Sequence, residues 1–211
     1  MKKSFKKWIW FLIIMALIGC SNENNTAGKA QKADGVLGPL KQNERNTQII
    51  SSLGFDTLLM YDLEIKNEDI KMIHFWVEHY KNGKKQENII EGATATSKKM
   101  TLAATKLDFK LDEENTYDRW TYSVSDGTAI STMESLPMEV VSNDELGMGS
   151  TWVDDQIKIE AEKPITLAVI ARHGGDGVGI GLGEEVIEDT IKNSDEVFIV
   201  KTMISKKEEY K

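Results

Sequence analysis

Ile70-Lys71-Met72-Ile73-His74-Phe75-Trp76-Val77-Glu78-His79-Tyr80, running into Lys81-Asn82-Gly83, is the stretch whose reading decides the fold. Its apolar residues fall on both parities, with Met72 and Trp76 on one and Ile73, Phe75 and Val77 on the other. An extended run of this kind suits a central strand buried on both faces. Asn82-Gly83 is the strongest short hairpin signal in the chain, because a two-residue type I′ turn needs φ > 0 at both central positions. Such a turn sets Trp76 opposite Ile89 and Phe75 opposite Ile90, so both faces find apolar partners.

Working outward, Leu59, Tyr61, Leu63 and Ile65 alternate ahead of the turn-like Lys66-Asn67-Glu68-Asp69. Leu107, Phe109 and Leu111 alternate again, as do Trp120, Tyr122 and Val124 before a second turn at Asp126-Gly127. Ile157, Ile159 and Ala161 lead to a turn at Glu162-Lys163-Pro164; Leu167, Val169 and Ala171 follow, and Val197 to Ile204 is a β-branched run. Short strands separated by turns predict an all-β domain, an antiparallel β-sandwich, immunoglobulin-like or related, over residues 49–205 with a tail at 206–211. No helical period is read beyond the amino-terminal segment, and Met133 to Gly149 is too irregular to assign.

The amino terminus carries a different signal. Lys2, Lys3, Lys6 and Lys7 precede the apolar run Trp8 to Ile18 with no acid among them. A basic start, a short apolar run and a small residue describe a secretory signal. With Gly19 the run is about a dozen residues, roughly 18 Å of helix against a hydrocarbon core of about 30 Å, too short to span. Ser21-Asn22-Glu23-Asn24-Asn25 then ends it.

Leu17-Ile18-Gly19-Cys20 resembles the lipobox of bacterial lipoproteins. The resemblance implies a signal peptide over residues 1–19, cleaved before Cys20, whose thiol receives a diacylglycerol. Two acyl chains give stable anchoring where one binds marginally. The expected location is the extracytoplasmic face of the cell membrane, with lipid on Cys20 as the membrane contact.

Residues 20–48 then read as the lipidated terminus and a flexible tether, rich in Asn, Lys, Gln, Gly and Glu, with Val36, Leu37 and Leu40 its few apolar residues. Such a composition buries too little to offset the entropy of ordering. As a coil it spans roughly 30 Å.

The formal net charge is −8, and removing residues 1–19 with their four lysines takes it to −12. An acidic domain is repelled by nucleic acid, so no nucleic-acid partner is expected. Cys20 is the only cysteine, which excludes disulfides and cysteine-ligated zinc from the domain. Lysine far outnumbers arginine (Arg45, Arg119 and Arg172), which fits a low-GC Gram-positive source.

Candidate sites are few. His74 and His79 lie five apart on one strand and so point to opposite faces. His173, Asp176 and Glu184 flank the glycine loop Gly174 to Gly183 and have the residue types of a calcium or zinc site, without an EF-hand or HExxH spacing. The alternating glycines do not form a phosphate loop, and Glu184, Glu185, Glu188 and Asp189 would repel an anion. The loop reads as a flexible connection or a place where backbones approach closely. Trp76, Trp120, Trp152, Tyr80 and Tyr122 suit either a core or a flat binding platform. No GxSxG or SxxK motif surrounds a serine of the domain at 49–205, so neither a catalytic residue nor a cofactor is assigned, and Cys20 is the one modified residue.

The expected function is a membrane-anchored binding or interaction module for an envelope protein or cell-wall component. The alternatives are a structural or assembly part of an envelope complex and a cell-envelope hydrolase.

Overall fold

The computed structural model describes residues 33–41, 48–49, 52–110, 115–140, 146–175 and 177–208. The signal segment, Cys20 and Asp176 lie outside them.

In chain order the strands are β1 (Gly35–Pro39), β2 (Thr57–Ile65), β3 (Met72–Lys81), β4 (Lys84–Lys85), β5 (Ile90–Ala95), β6 (Lys99–Lys110) and β7 (Thr116–Ser125). They continue with β8 (Ile130–Glu134), β9 (Met138–Val140), β10 (Gly147–Trp152), β11 (Ile157–Ile159), β12 (Ile165–His173) and β13 (Glu196–Ser205). The helix α1 (Glu184–Asn193) lies between β12 and β13. The first sheet runs β11-β1-β2-β6-β7-β8, with β9 beside β7, and the second runs β10-β12-β13-β3-β4, with β5 beside β3. The described strand pairs are antiparallel. The protein is an all-β sandwich, as its turn-punctuated strands predict.

Alternate residues build the core. Leu59, Tyr61 and Leu63 of β2, Leu102 and Ala104 of β6 and Trp120, Tyr122 and Val124 of β7 are buried from the first sheet. Ile73, Phe75 and Val77 of β3, Ile170 of β12 and Phe198 and Val200 of β13 meet them from the second. Burial of such side chains contributes about 1.5–3 kcal/mol each.

The hairpin forms as read, with Asn82 at φ 50° and Gly83 at φ 73°. Lys81 pairs with Lys84 and Tyr80 with Lys85. Beyond β4 the register moves by two residues. Val77 faces Ile90, Trp76 faces Glu91 and Phe75 faces Gly92, which corrects the expected Trp76–Ile89 and Phe75–Ile90 pairs. A shift of two keeps every side chain on its own face. The gain is room: a Cβ on Gly92 would stand 2.9 Å from Cζ of Phe75.

The domain also begins earlier than Ile49. β1 lies inside the stretch read as tether and pairs with β2 on one side and β11 on the other. Leu37, fully buried, is its anchor. Asp34 fixes its start, with its carboxylate accepting from Asn67 Nδ2 at 2.5 Å and from the Ala161 amide at 2.8 Å. A short strand hydrogen-bonded along both edges needs fewer apolar residues than composition alone suggests.

Two further corrections concern the carboxyl-terminal half. Part of the unassigned Met133–Gly149 stretch is strand: the end of β8, all of β9 and the start of β10. The acidic run after the glycine loop is α1, whose Glu184 and Glu185 complement the positive helix amino terminus. Ile187 and Ile191, four apart, pack with Val169, Ala171, Val197 and Ile199 on the outer face of the second sheet.

Candidate functional site

The outer face of the second sheet divides in two. Near Tyr80 and Val197, α1 and the glycine loop cover it, with Ile180 and Leu182 of the loop packed against the sheet. Thr190 of α1 is fully buried, and its hydroxyl faces the carbonyls of Gly179 at 3.0 Å and Val186 at 2.7 Å. Gly149 admits Ile180, whose Cδ1 a Cβ there would strike. Ile180 and Leu182 thus seat the loop on the sheet, while Gly174, Gly175, Gly177 and Gly179 are exposed.

Toward the Met72–Ser205 end the same face is open. A cleft of about 830 Å³ lies there, within the size range of small-ligand sites. Its floor comes from outward residues of two neighbouring strands, His74, Trp76 and Glu78 of β3 and Met203 and Ser205 of β13. Lys85, Asn88 and Glu91 line one side, and Glu162, Pro164, Lys207 and Glu208 the other.

Glu78 is the fixed point of this floor. Its Oε1 accepts from Trp76 Nε1 at 3.2 Å and Lys85 Nζ at 3.4 Å. Its Oε2 accepts from Tyr80 OH at 3.1 Å and meets Lys201 Nζ at 3.1 Å. Burial alone would raise its pKa, but the hydrogen bonds from Trp76 and Lys201 and the charges of Lys201 and Lys85 outweigh it and hold the carboxyl below its ordinary value. Burial and the neighbouring carboxylate push Tyr80 up to about 12. Burial also lowers the pKa of His74, against the opposing charge of Glu162, so the cleft carries a neutral imidazole at neutral pH. Glu162, at φ 62°, accepts from Ser205 Oγ at 2.8 Å and from the Lys206 amide at 2.9 Å.

Between the sheets, at the end beneath α1, lies a second polar centre that the sequence reading missed. Lys106, fully buried, pairs with Asp108. Arg172 reaches Glu196 at 2.8 Å, Asp118 at 3.5 Å and Asp108 at 3.8 Å. His79 meets the other Glu196 oxygen at 2.9 Å and stacks on Phe198. A signal for this cluster was present. In five strands, the row that faces the core ends one step later on an ionisable residue: Lys106 after Ala104, Asp118 before Trp120, Arg172 after Ile170, Glu196 before Phe198 and His79 after Val77. Leu107 and Phe109, which alternate in the sequence, lie on the outer face of β6, and Phe109 lies beside Tyr117 and beneath Arg119.

The remaining candidates separate. His74 and His79 do lie on opposite faces, one in the cleft and one between the sheets. His173 lines a smaller hollow of about 480 Å³ with Asp189, Asn193 and Asp195, while Glu184 begins α1. Among the described residues no group of three or more His, Cys, Asp or Glu is placed to hold a metal ion. The five aromatics do not make one platform: Trp120 and Tyr122 are core, Trp76 is half-buried in the cleft, Tyr80 packs near α1, and Trp152 is 51% exposed on β10.

The fold is thus an antiparallel sandwich with an open cleft on one outer face. The chain belongs to the YgaN domain family, whose model matches residues 39–204. No curated protein and no solved structure matches it.

Proposed function

We propose that the protein is a lipid-anchored extracytoplasmic binding module, held to the membrane through Cys20 and offering the cleft around Trp76 to its ligand. One contrast carries the binding reading: α1 and the glycine loop cover half of a sheet face, and the other half is open over Trp76 and Met203. The Trp76 indole N–H is committed to Glu78, so the ring is oriented before a ligand arrives, which lowers the entropy lost on binding. Charges of both signs, Lys85 and Lys207 against Glu91 and Glu208, suit an envelope protein segment or cell-wall component with an apolar face and polar edges. The anchor rests on the basic start, the short apolar run and Leu17-Ile18-Gly19-Cys20.

The test is a photo-crosslinking residue at Glu91, on the cleft rim, in the full chain in its native cell, with the same residue at Asp62 on the other sheet as control. The reading expects a product at Glu91 that Trp76→Ala removes. Equal products at both positions, or none at Glu91, contradict it.

A second reading, an assembly component of an envelope complex, is favoured by one observation. Met148 and Trp152 share one side of edge strand β10 and are 55% and 51% exposed. Paired exposed apolar side chains on an edge strand suit a protein interface. Loss of partner association with Trp152→Ala but not Trp76→Ala would select it.

A further inference from the structure

The ionic centre between the sheets is out of balance. Among the described residues it holds two cations, Lys106 from β6 and Arg172 from β12. Against them stand three carboxylates, Asp108 from β6, Asp118 from β7 and Glu196 from β13. His79 from β3 is the sixth member. The three carboxyls outnumber the two permanent cations, and an unbalanced charge in the interior is costly.

The three carboxyls are not equivalent. Both Glu196 oxygens are engaged, one by His79 and one by Arg172. Asp108 has Lys106 and Arg172, and its side chain is 29% exposed. Asp118 is 1% exposed; one oxygen has the long 3.5 Å contact to Arg172, and the other has no hydrogen-bond partner. An unpartnered oxygen costs less on a neutral carboxyl than on a carboxylate.

We propose that Asp118 holds a proton in the folded domain in mild acid, and that losing it as the pH rises toward neutrality weakens the packing of the two sheets. The domain then carries a built-in pH response at the end beneath α1, separate from the cleft and independent of any ligand there.

The electrostatic balance agrees. Burial, opposed by Lys106 and Arg172 and assisted by Asp108 and Glu196, pushes the Asp118 carboxyl up to about 6 from its ordinary 3.8. A folded value raised above the unfolded one contributes stability that is complete below the unfolded value and lost as pH rises through the folded one. That gap of about two pKa units corresponds to a folding constant weakened on the order of a hundredfold between pH 4 and pH 8. Glu196 works the other way, because His79 and Arg172 more than offset its burial and hold it below its ordinary value. Its contribution is present above its unfolded value of 4.5 and lost as pH falls through the lower folded value.

The experiment compares wild type with Asp118→Asn, the neutral near-isostere, by denaturant unfolding from pH 4 to pH 8 at fixed salt. The two should be alike at pH 4. The variant should gain on wild type as pH rises, approaching a hundredfold in the folding constant by pH 8. His79→Gln should leave that pH-dependent gap in place. Should Asp118→Asn not fold, infrared spectra of the wild type with isotope-labelled aspartate report the proton directly, as a protonated-carboxyl band present at pH 5 and lost by pH 8. Parallel curves, no such band, or a gap that follows sodium or calcium concentration in place of pH would overturn the proposal.

Discussion

Phe75 lies flat on Tyr122, with ring centroids 4.4 Å apart and planes 6° from parallel, and this stack joins the two sheets at the centre of the core. It explains the glycine opposite Phe75. A Cβ on Gly92 would meet Cζ of Phe75 at 2.9 Å and Cε of Met133 at 2.9 Å. Met133 can swing aside, but Phe75 is held by Tyr122. Gly92→Ala should therefore destabilise the domain by about 1–3 kcal/mol, the range for overpacking, measured by denaturant unfolding. A neutral result would mean that the stack is looser than described.

Gly83 sits at φ 73° after Asn82 at φ 50°, in the left-handed region that a β-branched residue fits poorly. Gly83→Val should cost more than about 1 kcal/mol, whereas Gly83→Asn should cost less, since asparagine tolerates this conformation. Equal losses for the two variants would argue against a turn of this type.

Thr190 ties α1 to the glycine loop through its hydroxyl. Thr190→Val keeps the shape but leaves the carbonyl of Gly179 without that donor, at a cost of about 1 kcal/mol. Amide exchange around Gly179 should quicken while exchange in β3 stays unchanged. Unaltered exchange in the loop would show that Ile180 and Leu182 hold it without Thr190.

Glu78 is held below its ordinary value because the bonds from Trp76 and Lys201 and the nearby lysine charges outweigh its burial. Its contribution is present above the unfolded value of 4.5 and lost as pH falls through the lower folded value. Glu78→Gln should cost about 1.5–3 kcal/mol near neutral pH, as for hydrogen bonds to a charged group. The gap from wild type should narrow as the solution is acidified toward pH 3. A gap independent of pH would remove the carboxylate charge from the explanation.

Much of the sandwich was legible because a half-buried strand writes its period into the sequence. Leu59 to Ile65 and Trp120 to Val124 alternate, and both rows are buried. Three things were not. β1 has one deep anchor, Leu37, and is held by hydrogen bonds to strands distant in the chain, which no local composition reveals. α1 shows only Ile187 and Ile191 toward the sheet among Glu184, Glu185, Glu188 and Asp189, so its charge hid its period. The ionic centre breaks the apolar rule at the end of five core rows, and each break looks ordinary until the topology brings the five together. The cleft is of the same kind: Trp76 and Met203 are neighbours only because β3 pairs with β13.

The anchoring half of the proposal meets its most direct test in the mass of the mature amino-terminal peptide, taken from the membrane fraction of the native cell. The account predicts a chain beginning at Cys20 and heavier than its sequence by a thioether-linked diacylglycerol, with Cys20→Ala yielding uncleaved or released protein. A mature terminus at any other residue, or an unmodified Cys20 in membrane-bound protein, would contradict it.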